Sequence, residues 1–165
     1  DDREIRGEIG ADDVLAGLGL KAIDQAAGQL RQGDIRALEG HPAGLQARGI
    51  QLIVYSNKDD SDTKAVVSHY FPHIPFARVV GSLPGVPLKP DPTALNQMMN
   101  ELKLQPKDGI YLGDTVMDIQ CAKAAGLYAV AALWGFQSEE ALRDERPSRL
   151  IHDPEELFGI AMKQF

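Results

Sequence analysis

The chain has 165 residues, 44% hydrophobic and 25% charged, with a formal charge of -7 and an isoelectric point near 5.0. That size fits one globular domain with a substantial core and a small appendage, and argues against two full domains. The acidic balance argues against a nucleic-acid surface, which needs clustered cations to displace counterions from phosphates. Lys21, Arg31, Arg36, Arg48, Lys58 and Lys64 are scattered and read as solvated surface charge. A single cysteine, Cys121, excludes an internal disulfide framework and a cysteine-built zinc site, and reads as a thiol buried on a helix packing face. The sequence has no run of about 18 apolar residues, the minimum for a membrane span. Its acidic start, Asp1-Asp2-Arg3-Glu4, is unlike a signal peptide. The expectation is a soluble, cytoplasmic protein.

Residues 11–38 read as helix, with Val14, Leu15, Leu18, Ile23, Ala27 and Leu30 at helical spacings and Gly17, Gly19 and Gly28 dividing the segment in two. Residues 38–48 form a short helical approach capped by Gly49. Strands then follow at 50–55, 78–80, 109–112 and 128–133, alternating with helices at 62–70, 92–102, 116–125 and 138–143. A last strand at 149–151 and a helix over 154–162, with Asp153 as its N-cap, complete the pattern. Continuous apolar runs such as Gln51-Leu52-Ile53-Val54-Tyr55 indicate strands buried on both faces. Their alternation with helices predicts an α/β fold with a doubly wound parallel sheet.

Ligands of such sheets sit outside the carboxyl ends of the strands. Ser56, Asp114 and Asp118 fall there, and Lys89 lies in a proline-rich loop, 84–92. Gly113-Asp114 ends one apolar run and Asp118 follows four residues later, a pair of hard oxygen ligands suited to Mg²⁺. Ser56 has a hydroxyl to give a phosphate oxygen beside the start of the next helix, whose dipole favours anions, and Lys89 supplies positive charge. Bland roles stay open for each: Asp114 as a helix N-cap, Asp118 as a solvated helix residue, Ser56 as a strand-end cap, Lys89 as an exposed loop residue.

Together, Leu52-Ile53-Val54-Tyr55-Ser56-Asn57, Leu88-Lys89-Pro90-Asp91-Pro92 and Ile110-Tyr111-Leu112-Gly113-Asp114-Thr115-Val116-Met117-Asp118 resemble the second, third and fourth motifs of the haloacid dehalogenase-like hydrolase superfamily. The resemblance is nearest to its phosphoglycolate phosphatase-like branch. It extends to Leu45-Gln46-Ala47-Arg48-Gly49-Ile50, to Ala124-Ala125-Gly126-Leu127 and to Trp134-Gly135-Phe136, covering about residues 38–160. It implies a Rossmann-like core, Mg²⁺ as cofactor and a small phosphorylated metabolite as substrate. Ser56 and the Asn57 amide would hold the phosphoryl group, and Lys89 would neutralise it. Asp114 would ligate Mg²⁺, with Asp118 a ligand or an outer partner, and Gly113 would let the backbone approach the metal. For Asn57, capping of the next helix is an equal alternative.

The family's first motif, an apolar strand ending in Asp-x-Asp, has no match: Asp1-Asp2 lacks a preceding strand, Asp12-Asp13 reads as a helix start, and Asp59-Asp60 and Asp91 belong to loops after other motifs. That motif carries the nucleophile of an aspartyl-phosphate mechanism, and its strand lies mid-sheet. The resemblance thus implies a partial helical cap over residues 1–40 and a core over 41–165 lacking its first strand, inactive alone and part of a longer protein. The alternative is a non-catalytic module that binds phosphate and Mg²⁺, or a fragment completed by a homodimer partner or another segment.

Overall fold

The computed structural model of the protein describes residues 13–16 and 51–164. In chain order these are strand β1 (Asp13–Ala16), strand β2 (Ile53–Asp59), helix α1 (Asp60–Tyr70), strand β3 (Arg78–Ser82), helix α2 (Thr93–Glu101), a 3₁₀ turn (Pro106–Asp108), strand β4 (Ile110–Gly113), helix α3 (Val116–Ala124), strand β5 (Tyr128–Ala132), helix α4 (Glu139–Asp144), strand β6 (Arg149–Ile151) and helix α5 (Pro154–Gln164). The strands form one six-stranded sheet in the order β3-β2-β1-β4-β5-β6. β2 and β3 are parallel, as are β4 and β5 and β5 and β6.

Successive residues of the inner strands feed opposite cores, the period of two that a pleated strand imposes. On one face Leu52, Val54, Ile110, Leu112, Val130 and Ala132 pack with Val67 of α1 and Leu157 and Ala161 of α5. On the other, Ile53, Tyr55, Tyr111, Ala129 and Ala131 pack with Leu95 and Met98 of α2, Ile119 and Ala122 of α3 and Leu142 of α4. Both faces are covered, which is why these strands read as unbroken apolar runs. Among the described residues no helix is long and apolar enough to cross a membrane.

Two expectations need correction. Residues 13–16, read as the start of a helix, are a strand, and the middle of the sheet is not vacant. β1 lies between β2 and β4, antiparallel to both, with Asp13 opposite Ser56 and Ala16 opposite Tyr111. The unpaired backbone edges of two buried neighbours demand a partner, and that demand outweighs local helical spacing. The remaining helical readings in 17–50, the Gly49 cap and the rest of the 1–40 cap segment lie outside the described residues.

Helix starts are fixed by side chains. Asp153 Oδ1 accepts from Glu155 N at 2.8 Å, and Glu156 Oε1 accepts in return from Asp153 N at 3.1 Å, a reciprocal arrangement that starts α5 as expected. At α1, Asp60 Oδ2 accepts from Lys64 Nζ at 2.6 Å, and Oδ1 takes Gly81 N at 2.9 Å, joining the helix to the end of β3. These two donors, Lys64 first, hold the Asp60 carboxyl below its ordinary value of 3.8. A lowered folded-state value means stability that is present above the unfolded-state value and lost as pH falls through the folded one. The urea midpoint is therefore expected to be lower at pH 3 than at pH 7, and Asp60→Asn is expected to shrink that difference. An identical difference in both proteins would remove Asp60 from the acid response.

Candidate active site

Ser56 and Asn57 lie within β2 rather than after it, because the strand continues to Asp59. Ser56 is fully buried, and its Oγ accepts from Lys58 N at 3.0 Å. The cap of α1 is Asp59, whose Oδ1 accepts from Ser61 N at 2.9 Å. Asn57 is thus neither that cap nor a side chain aimed only at a ligand. Its Oδ1 accepts from Lys89 N at 2.9 Å, and its Nδ2 donates to Lys89 O at 3.3 Å. This reciprocal pair pins the proline-rich loop to the strand, across 32 positions of sequence. Asn57→Ala leaves both Lys89 backbone groups to find new partners and is expected to cost about 1–3 kcal/mol, read as a shift in the denaturant midpoint with unchanged slope.

Lys89 is 3% exposed, not a loop residue in solvent. Burial of an ammonium is costly without a partner. Here Nζ lies 2.9 Å from Asp118 Oδ1, with both side chains fully buried, and 5.4 Å from the centroid of the Tyr55 ring, an additional cation–π attraction.

Asp118 is the hub. Oδ1 also takes the Tyr111 hydroxyl at 3.5 Å, while Oδ2 accepts from Thr115 Oγ1 at 2.8 Å, Thr115 N at 3.0 Å and Asp114 N at 3.2 Å. Thr115, not Asp114, is the N-cap of α3, and it forms a reciprocal capping box with Asp118. With five protein donors on its two oxygens, Asp118 is not a solvated helix residue. Gly113 also has a different reason to be glycine. A Cβ there would stand 2.2 Å from Asp118 Cβ, so its bare backbone makes room for this carboxylate.

Asp114 is 2% exposed, and its Oδ2 accepts from Phe136 N at 2.9 Å. Gly135 lets that segment come close, since a Cβ there would lie 2.1 Å from Asp114 Cβ. Burial drives the Tyr111 and Tyr55 phenols well above their ordinary value, with the Asp118 charge adding to both, so both stay protonated at neutral pH. Burial likewise pushes the Cys121 thiol up to about 12, against the opposing pull of Lys89. Cys121 is a buried, unreactive residue of the α3 packing face, as its spacing predicted.

Among the described residues no three His, Cys, Asp or Glu side chains gather as a metal cluster. Mg²⁺ needs less, one or two carboxylates with water and phosphate oxygens completing its shell. Asp114, a buried carboxylate oriented by a backbone N–H at a strand end, fits that sparse demand. Three participants were missed from the sequence: Thr115, whose Thr-x-x-Asp spacing was a readable capping signal, Tyr111, and Gln137, whose Oε1 accepts from Val116 N.

The family model described as haloacid dehalogenase-like hydrolase matches residues 30–132, more than half of the chain. The chain belongs to the haloacid dehalogenase-like hydrolases. Among relatives of this family, a phosphoglycolate phosphatase of Pseudomonas syringae pv. syringae is 27% identical over 146 residues, covering 87% of this chain and 54% of the relative. One from Rhodospirillum rubrum is 33% identical over 95 residues, covering 58% of this chain and 39% of the relative. In structure, the chain is similar to a predicted phosphoglycolate phosphatase from Haemophilus somnus, with TM-score 0.67 and 25% identity over 74% of this chain and 54% of the other. The chain thus spans about half the length of these haloacid dehalogenase-like relatives.

Proposed function

We propose that this chain is the phosphate- and Mg²⁺-binding part of a phosphomonoester hydrolase that acts on a small phosphorylated metabolite of the phosphoglycolate type in the cytoplasm. The observation that carries the reading is the buried Lys89–Asp118 pair. It fixes a cation on the same carboxylate that accepts from the backbone N–H of Asp114. The Ser56 hydroxyl would donate to a phosphate oxygen, and Lys89 would offset negative charge growing at phosphorus. Asp114 would hold Mg²⁺, which supplies further charge neutralisation when bound. Asp118 would act through its neighbours, orienting Lys89 and the 114–115 backbone, and Asn57 would set the height of the Lys89 loop.

The attacking carboxylate is not among the motifs this sequence matches, so the chain by itself is proposed to bind these ligands without turnover. A complementing segment would supply the strand with that carboxylate, which a second copy of this sequence would lack as well. Because β1 pairs with both β2 and β4, such a strand enters the middle of the sheet only by displacing it.

The test is a titration of the chain with Mg²⁺ and inorganic phosphate followed by amide NMR shifts, with phosphate release from phosphoglycolate measured on a full-length version. Expected are Mg²⁺ shifts centred on Asp114 that Asp114→Asn abolishes, and turnover confined to the longer protein. Mg²⁺ binding unchanged in Asp114→Asn would take Asp114 out of the site, and turnover by the chain alone would overturn the division of labour.

A further inference from the structure

The segment after β5 is joined to the loop that carries Asp114 by hydrogen bonds to Asp114 itself and to Val116. Phe136 N donates to Asp114 Oδ2 at 2.9 Å, fixing the plane of the carboxylate. Gln137 N donates to Asp114 O at 3.3 Å. The Gln137 side chain then reaches past Asp114, and its Oε1 accepts from Val116 N, in the first turn of α3. One residue thus holds the main chain at 114 and again at 116, and the two ties leave Asp114 little freedom along the loop. Gly135 allows this approach, and Gln137 itself is half-buried.

We infer that Gln137 is a positioning residue for Asp114: it sets where the carboxylate sits for a divalent cation, without touching the cation itself. This rests on the proposed role of Asp114. Partners that orient a metal ligand from outside typically change metal affinity by 10–100-fold when removed. The backbone tie from Gln137 N survives any side-chain change, so only the Oε1 contribution is at stake, at the lower end of that range.

The test is a Mg²⁺ titration by amide NMR shifts of three proteins: the unsubstituted chain, Gln137→Leu and Gln137→Glu. Thermal unfolding without Mg²⁺ is recorded beside it. Gln137→Leu is expected to weaken Mg²⁺ binding roughly tenfold, and Gln137→Glu, whose carboxylate still accepts from Val116 N, is expected to restore it to within about threefold, less than half a power of ten. A merely structural role would lower the unfolding temperature of Gln137→Leu and leave Mg²⁺ affinity unchanged, which would overturn the inference. Equal weakening in both variants would overturn it too. If Gln137→Leu does not fold, Gln137→Glu decides alone: normal affinity supports the inference and a tenfold loss refutes it. If the unsubstituted chain binds no Mg²⁺, the role of Asp114 fails first and takes this inference with it.

Discussion

Asp118→Ala is expected to destabilise the protein by about 3–5 kcal/mol, the cost typical of removing one partner from a buried ion pair. At this chain length that corresponds to a fall in melting temperature of roughly 10 °C. Lys89, with its side chain fully buried, would lose its counter-charge and retain the Tyr55 ring. At the same time the backbone N–H groups of Asp114 and Thr115 and the Thr115 hydroxyl would lose their common acceptor, and α3 would lose its capping box. Lys89→Met is the informative comparison. It leaves Asp118 with Tyr111 and the three donors on Oδ2, so its cost is expected to be smaller, about 1–3 kcal/mol. Denaturant unfolding of the two variants measures the difference directly. Should Lys89→Met prove as costly as Asp118→Ala, the carboxylate is not the hub that its hydrogen bonds describe.

Gly113→Ala is expected to cost about 1–3 kcal/mol or more, the range of overpacked sites. The added methyl would stand 2.2 Å from Asp118 Cβ and 2.7 Å from its carboxyl carbon. Cβ is anchored to the α3 backbone, so no end-of-chain rotation relieves the clash. Either β4 or the first turn of α3 has to shift, and both carry the hydrogen bonds of Asp118. The control is Gly159→Ala in α5, where nothing lies within 4 Å of an added Cβ. Glycine inside a helix costs conformational entropy, so that substitution is expected to stabilise by about 0.5–1 kcal/mol. Thermal unfolding of the pair in opposite directions would separate packing from propensity. Equal effects of one sign would refute the steric account of Gly113.

The strands were legible because burial on both faces leaves its mark in each local window. Leu52 to Tyr55, Ile110 to Leu112 and Ala129 to Ala132 serve two cores at once, so polar residues are excluded from them. The positions of Lys89 and Asp114 were legible as loop and strand-end residues between such runs, that of Ser56 only as near a strand end since β2 runs on to Asp59, and the family resemblance followed from their order. What they touch was not. Asn57 meets Lys89 across 32 positions, and Gln137 meets Val116 across 21. Spacing rules reach one or two helical turns, and these contacts are made by the folding of the sheet. The strand at Asp13–Ala16 escaped for a related reason, because Val14 and Leu15 satisfy a helical spacing and only the open edges of β2 and β4 select the extended form. For Asp118 the sequence left two roles open, metal ligand or outer partner, because it gives the charge of a carboxylate and not the number of donors already on it.

The buried Lys89–Asp118 pair also constrains how this sequence can drift. Replacement of Asp118 alone passes through a poorly stable protein and replacement of Lys89 alone through a weakened one, while replacement of both still strips the 114–115 backbone of its acceptor. The two residues are therefore locked together by epistasis. A descendant that had lost all chemistry would retain them for the sake of folding alone, so their presence in a sequence testifies to an intact core before it testifies to an active enzyme.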